Sequence, residues 1–264
     1  MIGTTFILLR RPSTSRDWSP DQKVMPSVAI RGDLVEVRNV RNFRYRSTSD
    51  FDLNYETRTY DISKLDSVWF IVERFGDIPG LAHTFLSFGF GDEYVAISAE
   101  IRKERGALYS PWKGLLREYE LMYVIGDERD LIGLRTNHRR DLTYLYPVRT
   151  TPEKMRQVFL DMVRRADSLG KRPEFYNTLT NNCTTNIVSH VNTISPRRIP
   201  FSTRIVLPAY ADSLAHEIGL IDSDLPLEKL RERHRIDPIA QRAGIDVRFS
   251  QVIRAGLHST PTQP

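Results

Sequence analysis

Pro173-Glu-Phe-Tyr-Asn-Thr-Leu-Thr-Asn-Asn-Cys-Thr-Thr-Asn-Ile-Val-Ser-His190 holds Cys183, the only cysteine among 264 residues. Thr180, Asn181 and Asn182, just before it, all have side chains that cap helices by accepting backbone N–H groups. After it, Ile187, Val188, Val191 and Ile194 fall at the three- and four-residue spacing of an amphipathic helix. The pattern predicts a half-buried helix with Cys183 in its first turn. There the free N–H groups and the positive end of the helix dipole favour an anion. A thiolate is such an anion, and a helix start is a common device for lowering a cysteine pKa. The competing reading is an inert core residue, since free cysteine is among the most buried types. The polar capping run weighs against it, because apolar core rarely follows several capping residues.

A chain of this length with 40% hydrophobic residues can bury a real core. One cysteine excludes an internal disulfide and leaves the redox compartment open. The pI near 9.3 and net charge of +5 tempt one toward nucleic acid, but the 38 basic and 33 acidic residues are interspersed. Such a surface has mild affinity for anionic partners such as phospholipid headgroups, and no nucleic-acid partner is expected. No stretch approaches the ~18 apolar residues of a membrane span. The start, Met1-Ile-Gly-Thr-Thr-Phe-Ile-Leu-Leu-Arg-Arg-Pro12, matches no signal peptide and has the composition of the tail of a longer membrane segment. No phosphate loop and no metal-spaced cluster occurs, so neither cofactor nor metal is expected.

Residues 11–25 are polar and turn-rich and read as an extended arm. Strands follow at 27–30 and 34–40, around Arg31-Gly32-Asp33, a hairpin turn rather than an integrin motif. Further strands are predicted at 54–62 and 67–73, and Ile78-Pro-Gly80 breaks the chain. Residues 82–90 and 94–101 form a hairpin whose register matters. A two-residue loop at Asp92-Glu93 pairs Phe85 with Glu100 and sets Glu100 diagonal to His83 on one face. A three-residue loop turns Glu100 away. The former groups the polar residues and is the expectation. Residues 102–114 read as a polar connection, followed by strands at 118–125, 131–136 and 143–148. Thr151, Pro152 and Glu153 open a helix with the stripe Met155, Val158, Phe159, Met162, Val163, Ala166 and Leu169, closed by Gly170. Residues 207–219 suggest a turn into a short helix, and 225–235 a charged surface helix. From Gly244 the chain thins toward a disordered tip.

A cysteine nucleophile needs a base within hydrogen-bond reach, and that base needs an orienting group. His138, His234 and His258 read as solvated, and His216 as surface. His190 lies two helical turns from Cys183, roughly 10 Å along the axis, too far to share a proton. His83 starts a buried strand directly after the break and is the candidate, with a structural histidine as the alternative. Glu100, or Ser98 if the register slips, would fix its tautomer. The Cys183 N–H, helped by the Asn182 amide, would steady an oxyanion.

Ala82-His-Thr-Phe-Leu-Ser-Phe88, Tyr94-Val-Ala-Ile-Ser-Ala-Glu-Ile-Arg-Lys-Glu104 and Phe175-Tyr-Asn-Thr-Leu-Thr-Asn-Asn-Cys-Thr-Thr-Asn186 resemble the Lnb N-terminal periplasmic domain family, over roughly residues 10–222. That family is similar to circularly permuted papain-like NlpC peptidases, in which the histidine strand precedes the cysteine helix. Lecithin:retinol acyltransferase is similar in this order and in having Asn directly before Cys, as Asn182 is here. The resemblance implies an α+β fold, an antiparallel sheet packed on a few helices with the nucleophile at a helix start. It divides the chain into an arm (1–25), a papain-like catalytic domain (26–222) and a C-terminal helix with a disordered tail (223–264). The family name is associated with N-acylation of bacterial lipoproteins. The implied function is therefore cysteine-dependent acyl transfer at a membrane surface, periplasmic or membrane-associated. Phospholipid or an acylated substrate would be the donor and a lipoprotein N-terminus the acceptor. Two alternatives stay open: a papain-like amidase or peptidase acting on cell-wall peptides, and a non-catalytic binding domain.

Overall fold

The computed structural model describes residues 10–75, 80–108 and 110–257. The apolar start, Ile78-Pro79 of the expected break, His258 and the polar tip lie outside them. Eight strands form one mixed sheet, and with nine α-helices among the described residues they make an α+β architecture.

The sheet order is β1 (Ser27–Arg31), β2 (Leu34–Arg41), β9 (Glu120–Asp127), β8 (Glu93–Arg102), β7 (Ala82–Phe90), β6 (Ser67–Arg74) and β10 (Leu142–Pro147). β5 (Tyr55–Asp61) also pairs with β2, and β3 (Arg44–Tyr45) with β4 (Phe51–Asp52) forms a small separate ladder. β2 and β9 run parallel where Arg41 meets Gly126, so the sheet is mixed rather than purely antiparallel. The first hairpin is as expected: Arg31 pairs with Leu34 across Gly32-Asp33, and Gly32 takes the left-handed φ of 59° that such a tight turn needs.

Alternation along the strands gives the sheet two buried faces. Val68, Phe70, Val72, Leu86 and Phe88 meet α3 (Pro152–Lys171) on one. Trp69, Ile71, Phe85, Met122 and Val124 pack on the other beside Phe249 and Ile253. α3 follows the sequence closely. Thr151 accepts the Lys154 N–H, Pro152 opens the helix, and all seven stripe residues are buried. Gly170 does not end it, for the helix runs on to Lys171, and Gly170 lies close against Met25 and Pro26, where the N-terminal arm meets the domain.

Residues 131–136, expected as a strand, are helical. α2 (Glu128–Gly133) continues into a π-helical turn, Leu134–Arg139. Asp127 caps α2 by accepting the Arg129 N–H, and Glu128 and Asp130 place carboxylates at its positive end. That acidic start outweighs the apolar run behind it. The connection before β9 likewise contains a short helix, α1 (Pro111–Leu115).

The expected thinning after Gly244 is also corrected. α8 (Asp237–Ala243) and α9 (Phe249–Val252) follow α7 (Leu227–His234), and Phe249, Ile253 and Leu257 are buried against the sheet. Their four-residue spacing is an apolar stripe too short to stand out among polar neighbours. Arg254 joins them because its guanidinium is held by both oxygens of buried Glu128 (2.6 and 2.7 Å) and lies over Tyr94. His234, read as solvated, is buried with Nδ1 donating to the Leu145 carbonyl (2.9 Å).

Phe249→Ala should therefore lower the unfolding free energy by about 3–5 kcal/mol. Val247→Ala, at an 81% exposed site, should leave it nearly unchanged. Urea denaturation of both variants checks this, and equal midpoints would contradict a packed C-terminal segment.

Candidate active site

The hairpin joining β7 and β8 turns on Gly91-Asp92, with Phe90 paired to Glu93. The expected Asp92-Glu93 loop is displaced by one residue because Gly91 supplies the left-handed φ of 69°. Side-chain parity survives the shift. Continued along both strands, the register sets Phe85 across from Ser98 and His83 across from Glu100, direct rather than diagonal.

The ladder itself stops at Leu86↔Ile97. β7 stays paired with β6 as far as Ala82, and β8 with β9 as far as Arg102. The sheet is thus forked, and α4 (Cys183–Ile194) packs against both prongs. Across this fork Cys183, on a helix of one face, and His83, whose side chain lies with those of the other, act on each other's charge.

Asn182 builds the helix start. Its side-chain oxygen accepts the Thr185 N–H (2.8 Å), while the Thr185 hydroxyl accepts the Asn182 N–H (2.7 Å). This reciprocal capping box fixes Cys183 as the first helical residue. The Asn182 amide also donates to the Thr178 carbonyl (2.8 Å), which ties the preceding loop to the helix. The cap makes no use of the Cys183 and Thr184 N–H groups, which stand at the open, positive end of the helix.

His83 Nε2 lies 2.6 Å from Ser98 Oγ and 3.1 Å from Glu100 Oε1. Ser98 Oγ donates to the same carboxylate oxygen (2.7 Å). Both groups expected to orient the imidazole therefore contact the same nitrogen, which leaves Nδ1 free of them. His83 stacks on Phe85 with ring centroids 5.6 Å apart. Cys183 and His83 are 4% and 8% exposed, so the pair is nearly closed to water.

Burial alone would lower the His83 pKa, but the Glu100 carboxylate and the Cys183 thiolate outweigh it and raise it to about 10. Burial would likewise raise the Cys183 thiol, yet the His83 charge and hydrogen bond, with Thr84 through its N–H and hydroxyl, bring it below its ordinary value. Glu100 is held well below the usual carboxylate range: burial opposes this, and His83 and Arg135 overcome it. All three directions favour the charged forms: thiolate at Cys183, imidazolium at His83 and carboxylate at Glu100.

Sequence reading missed Thr84, Thr184 and Arg135. The Thr84 and Thr184 hydroxyls meet at 2.9 Å, joining the strand to the helix, and Thr184 Oγ1 is 3.9 Å from Cys183 Sγ. A threonine directly after each member of the Cys–His pair was the available signal. His190 is engaged elsewhere, between Asp161 (2.7 Å) and the Tyr123 hydroxyl (2.7 Å), as its distance along the helix implied.

An apolar cavity of about 390 Å³ opens beside Thr184. Leu86, Met155, Ile187, Val191 and Leu214 contribute to its wall, and Arg149 and Lys154 to its lining. Among the described residues, no helix is long and apolar enough to cross a membrane.

The Lnb N-terminal periplasmic domain family matches residues 51–209, a span that includes β7, β8 and the Cys183 helix. No curated protein and no solved structure matches the chain.

The pairing fixes an expected result. In wild type, Cys183 alkylation should persist well below the ordinary thiol range, since His83 keeps its proton up to about 10. His83→Gln should slow alkylation at weakly acid pH by roughly tenfold or more, and Glu100→Gln by less. Superimposable pH profiles for wild type and His83→Gln would show that the two residues do not act as a pair.

Proposed function

The chain belongs to the Lnb N-terminal periplasmic domain family, and from that premise we propose that it is a cysteine-dependent acyltransferase acting at a membrane surface. In this reading its fold is a permuted papain-like thiol fold, the histidine strand preceding the cysteine helix. The observation that carries the choice of acyl transfer is the apolar cavity beside Thr184, which has the wall chemistry of an acyl-chain site and two cationic side chains in its lining. An amidase acting on cell-wall peptides would instead need an open polar cleft at Cys183.

The Cys183 thiolate attacks the ester carbonyl of an acylated lipid, and the carbonyl π electrons move to oxygen. The N–H groups of Cys183 and Thr184 face that oxyanion at the helix start. As the tetrahedral intermediate collapses, the ester C–O bond breaks and His83 delivers its proton to the leaving alkoxide. A thioester on Cys183 and neutral His83 remain. A primary amine, such as a lipoprotein N-terminus, then attacks the thioester and passes its proton to His83. The C–S bond breaks, leaving an amide and restoring the thiolate–imidazolium pair. Glu100 and Ser98 hold the imidazole throughout and exchange no proton. The near-closure of Cys183 and His83 to water favours transfer to an amine over hydrolysis.

Incubated with a phospholipid donor and no acceptor, the protein should accumulate a long-chain thioester detectable as an added acyl mass at Cys183. Cys183→Ser should lose this turnover while keeping the fold, because serine lacks a low-pKa nucleophile. Val191→Trp, which fills the cavity, should reduce palmitoyl loading by roughly tenfold or more and spare acetyl loading. Absence of any long-chain adduct at Cys183 would end the acyltransferase reading.

A further inference from the structure

Arg135 belongs to no part of the chemistry above, yet it is the residue on which both carboxylates beside His83 converge. It sits in the π-helical turn Leu134–Arg139 and is only 3% exposed. Its Nε donates to Glu73 Oε2 (2.5 Å), its Nη2 to Glu100 Oε1 (2.7 Å) and its Nη1 to the Leu131 carbonyl (2.6 Å). Its guanidinium also lies 4.8 Å over the Phe85 ring, the ring that stacks on His83. Glu73 is the cross-strand partner of His83 on β6 and is fully buried. His83 is thus flanked on both sides by a carboxylate, and one guanidinium fork spans the two.

We propose that Arg135 is a positioning residue of the Cys183–His83 pair, holding the Glu100 carboxylate on the imidazole while it counter-charges Glu73. A fully buried carboxylate, Glu73, and a half-buried one, Glu100, beside one imidazole both stay ionised more readily when a second cation compensates them. Only a planar fork reaches both acceptors while its third nitrogen anchors the turn, so lysine is not equivalent here. The π-helical turn is part of the device, because such turns re-aim a side chain within a helix and recur at functional sites.

The charged and titratable groups facing this cluster come from each neighbouring element. β6 contributes Glu73, β7 His83, β8 Glu100 and α4 Cys183. Arg41 lies near Glu100 but is held by Asp130 (2.7 and 3.0 Å). Arg139 reaches only the outer oxygen of Glu73 (3.3 Å). Asp141, beside Glu73, has a pKa raised to about 7 by burial and by that neighbour's charge. None of these cations spans both Glu73 and Glu100 as Arg135 does.

The inference rests on the thiolate–imidazolium reading of the site, and the test separates the two. The pH dependence of Cys183 alkylation by iodoacetamide is measured for wild type, Arg135→Lys and the double variant Glu73→Gln/Arg135→Met. The double variant removes the carboxylate that would otherwise be stranded, and circular dichroism reports its fold. Arg135→Lys keeps the charge and guards against a folding failure of the double variant. Loss of the fork frees Glu100 to take up a proton, so the midpoint of alkylation should rise by about one pH unit or more in the double variant and by less in Arg135→Lys. Profiles that superimpose on a low wild-type midpoint would overturn the role of Arg135 and leave the pair intact. A wild-type midpoint at the ordinary thiol value would overturn both.

Discussion

The early end of one ladder is the constraint on which the site depends. β7 and β8 could pair along their whole overlap, but hydrogen bonding stops at Leu86↔Ile97 while each strand keeps its outer partner. Backbone groups in the opened segment need other partners, because unpaired buried N–H and C=O groups are costly. At Thr84 the hydroxyl meets that of Thr184 (2.9 Å), and its N–H and hydroxyl favour the anionic form of Cys183. The helix start brings its own uncapped N–H groups to the same gap. Donors from the strand and from the helix start thus both favour an anionic Cys183.

A second consequence of the fork is chemical separation. The side of the sheet that faces α3 carries the apolar cavity. The opposite side carries Glu73, Glu100, Ser98 and Arg135 around the imidazole. Charges on that side are buried, and buried charges are tolerated only when closely paired. The same logic holds further along the sheet, where Glu128 pairs with Arg254 and accepts from the Ser87 hydroxyl, and where Asp130 takes Arg41. Polar organisation of this face is a property of the whole fold, and the site is the place where it meets a titratable imidazole.

The strongest local signals were legible in the sequence. Capping side chains before Cys183, the seven-residue stripe of α3 and the parity of the β7–β8 hairpin each state a short-range rule, and short-range rules survive folding. The pairing of His83 with Glu100 was readable in its face but not in its register, because a one-residue choice of turn lies below the resolution of composition. Arg135 was invisible for a different reason. Leu131-Ile-Gly-Leu-Arg-Thr136 has the composition of a strand, and only the acidic cap at Asp127 turns it into a helix. Once that run is read as a strand, the arginine has no route to Glu100. The C-terminal segment failed similarly: Phe249, Ile253 and Leu257 gain their meaning from the sheet face they cover, and nothing local to them reveals it.

If the proposed reaction holds, these observations explain why its nucleophile would sit at a junction between environments. A long apolar acyl group and a charged proton-transfer apparatus make opposite demands on their surroundings: one needs dry apolar walls, the other fixed dipoles and counter-charges. Placing both on one face would bury charge against hydrocarbon. The fork would resolve the conflict by setting Cys183 between Thr184, at the cavity wall, and His83, on the polar side. Thr184, bordering the cavity and 3.9 Å from Sγ, marks the apolar approach. His83 marks the polar one. In the proposed reaction the acyl carbonyl would sit between them, its chain directed into the α3 side and its oxygen toward the helix start. The leaving and attacking groups would then exchange on the imidazole side, where the proton is held. Thr184 would then be as much a part of the proposed site as the Cys–His pair, because it links the cavity wall to the Cys183 side chain.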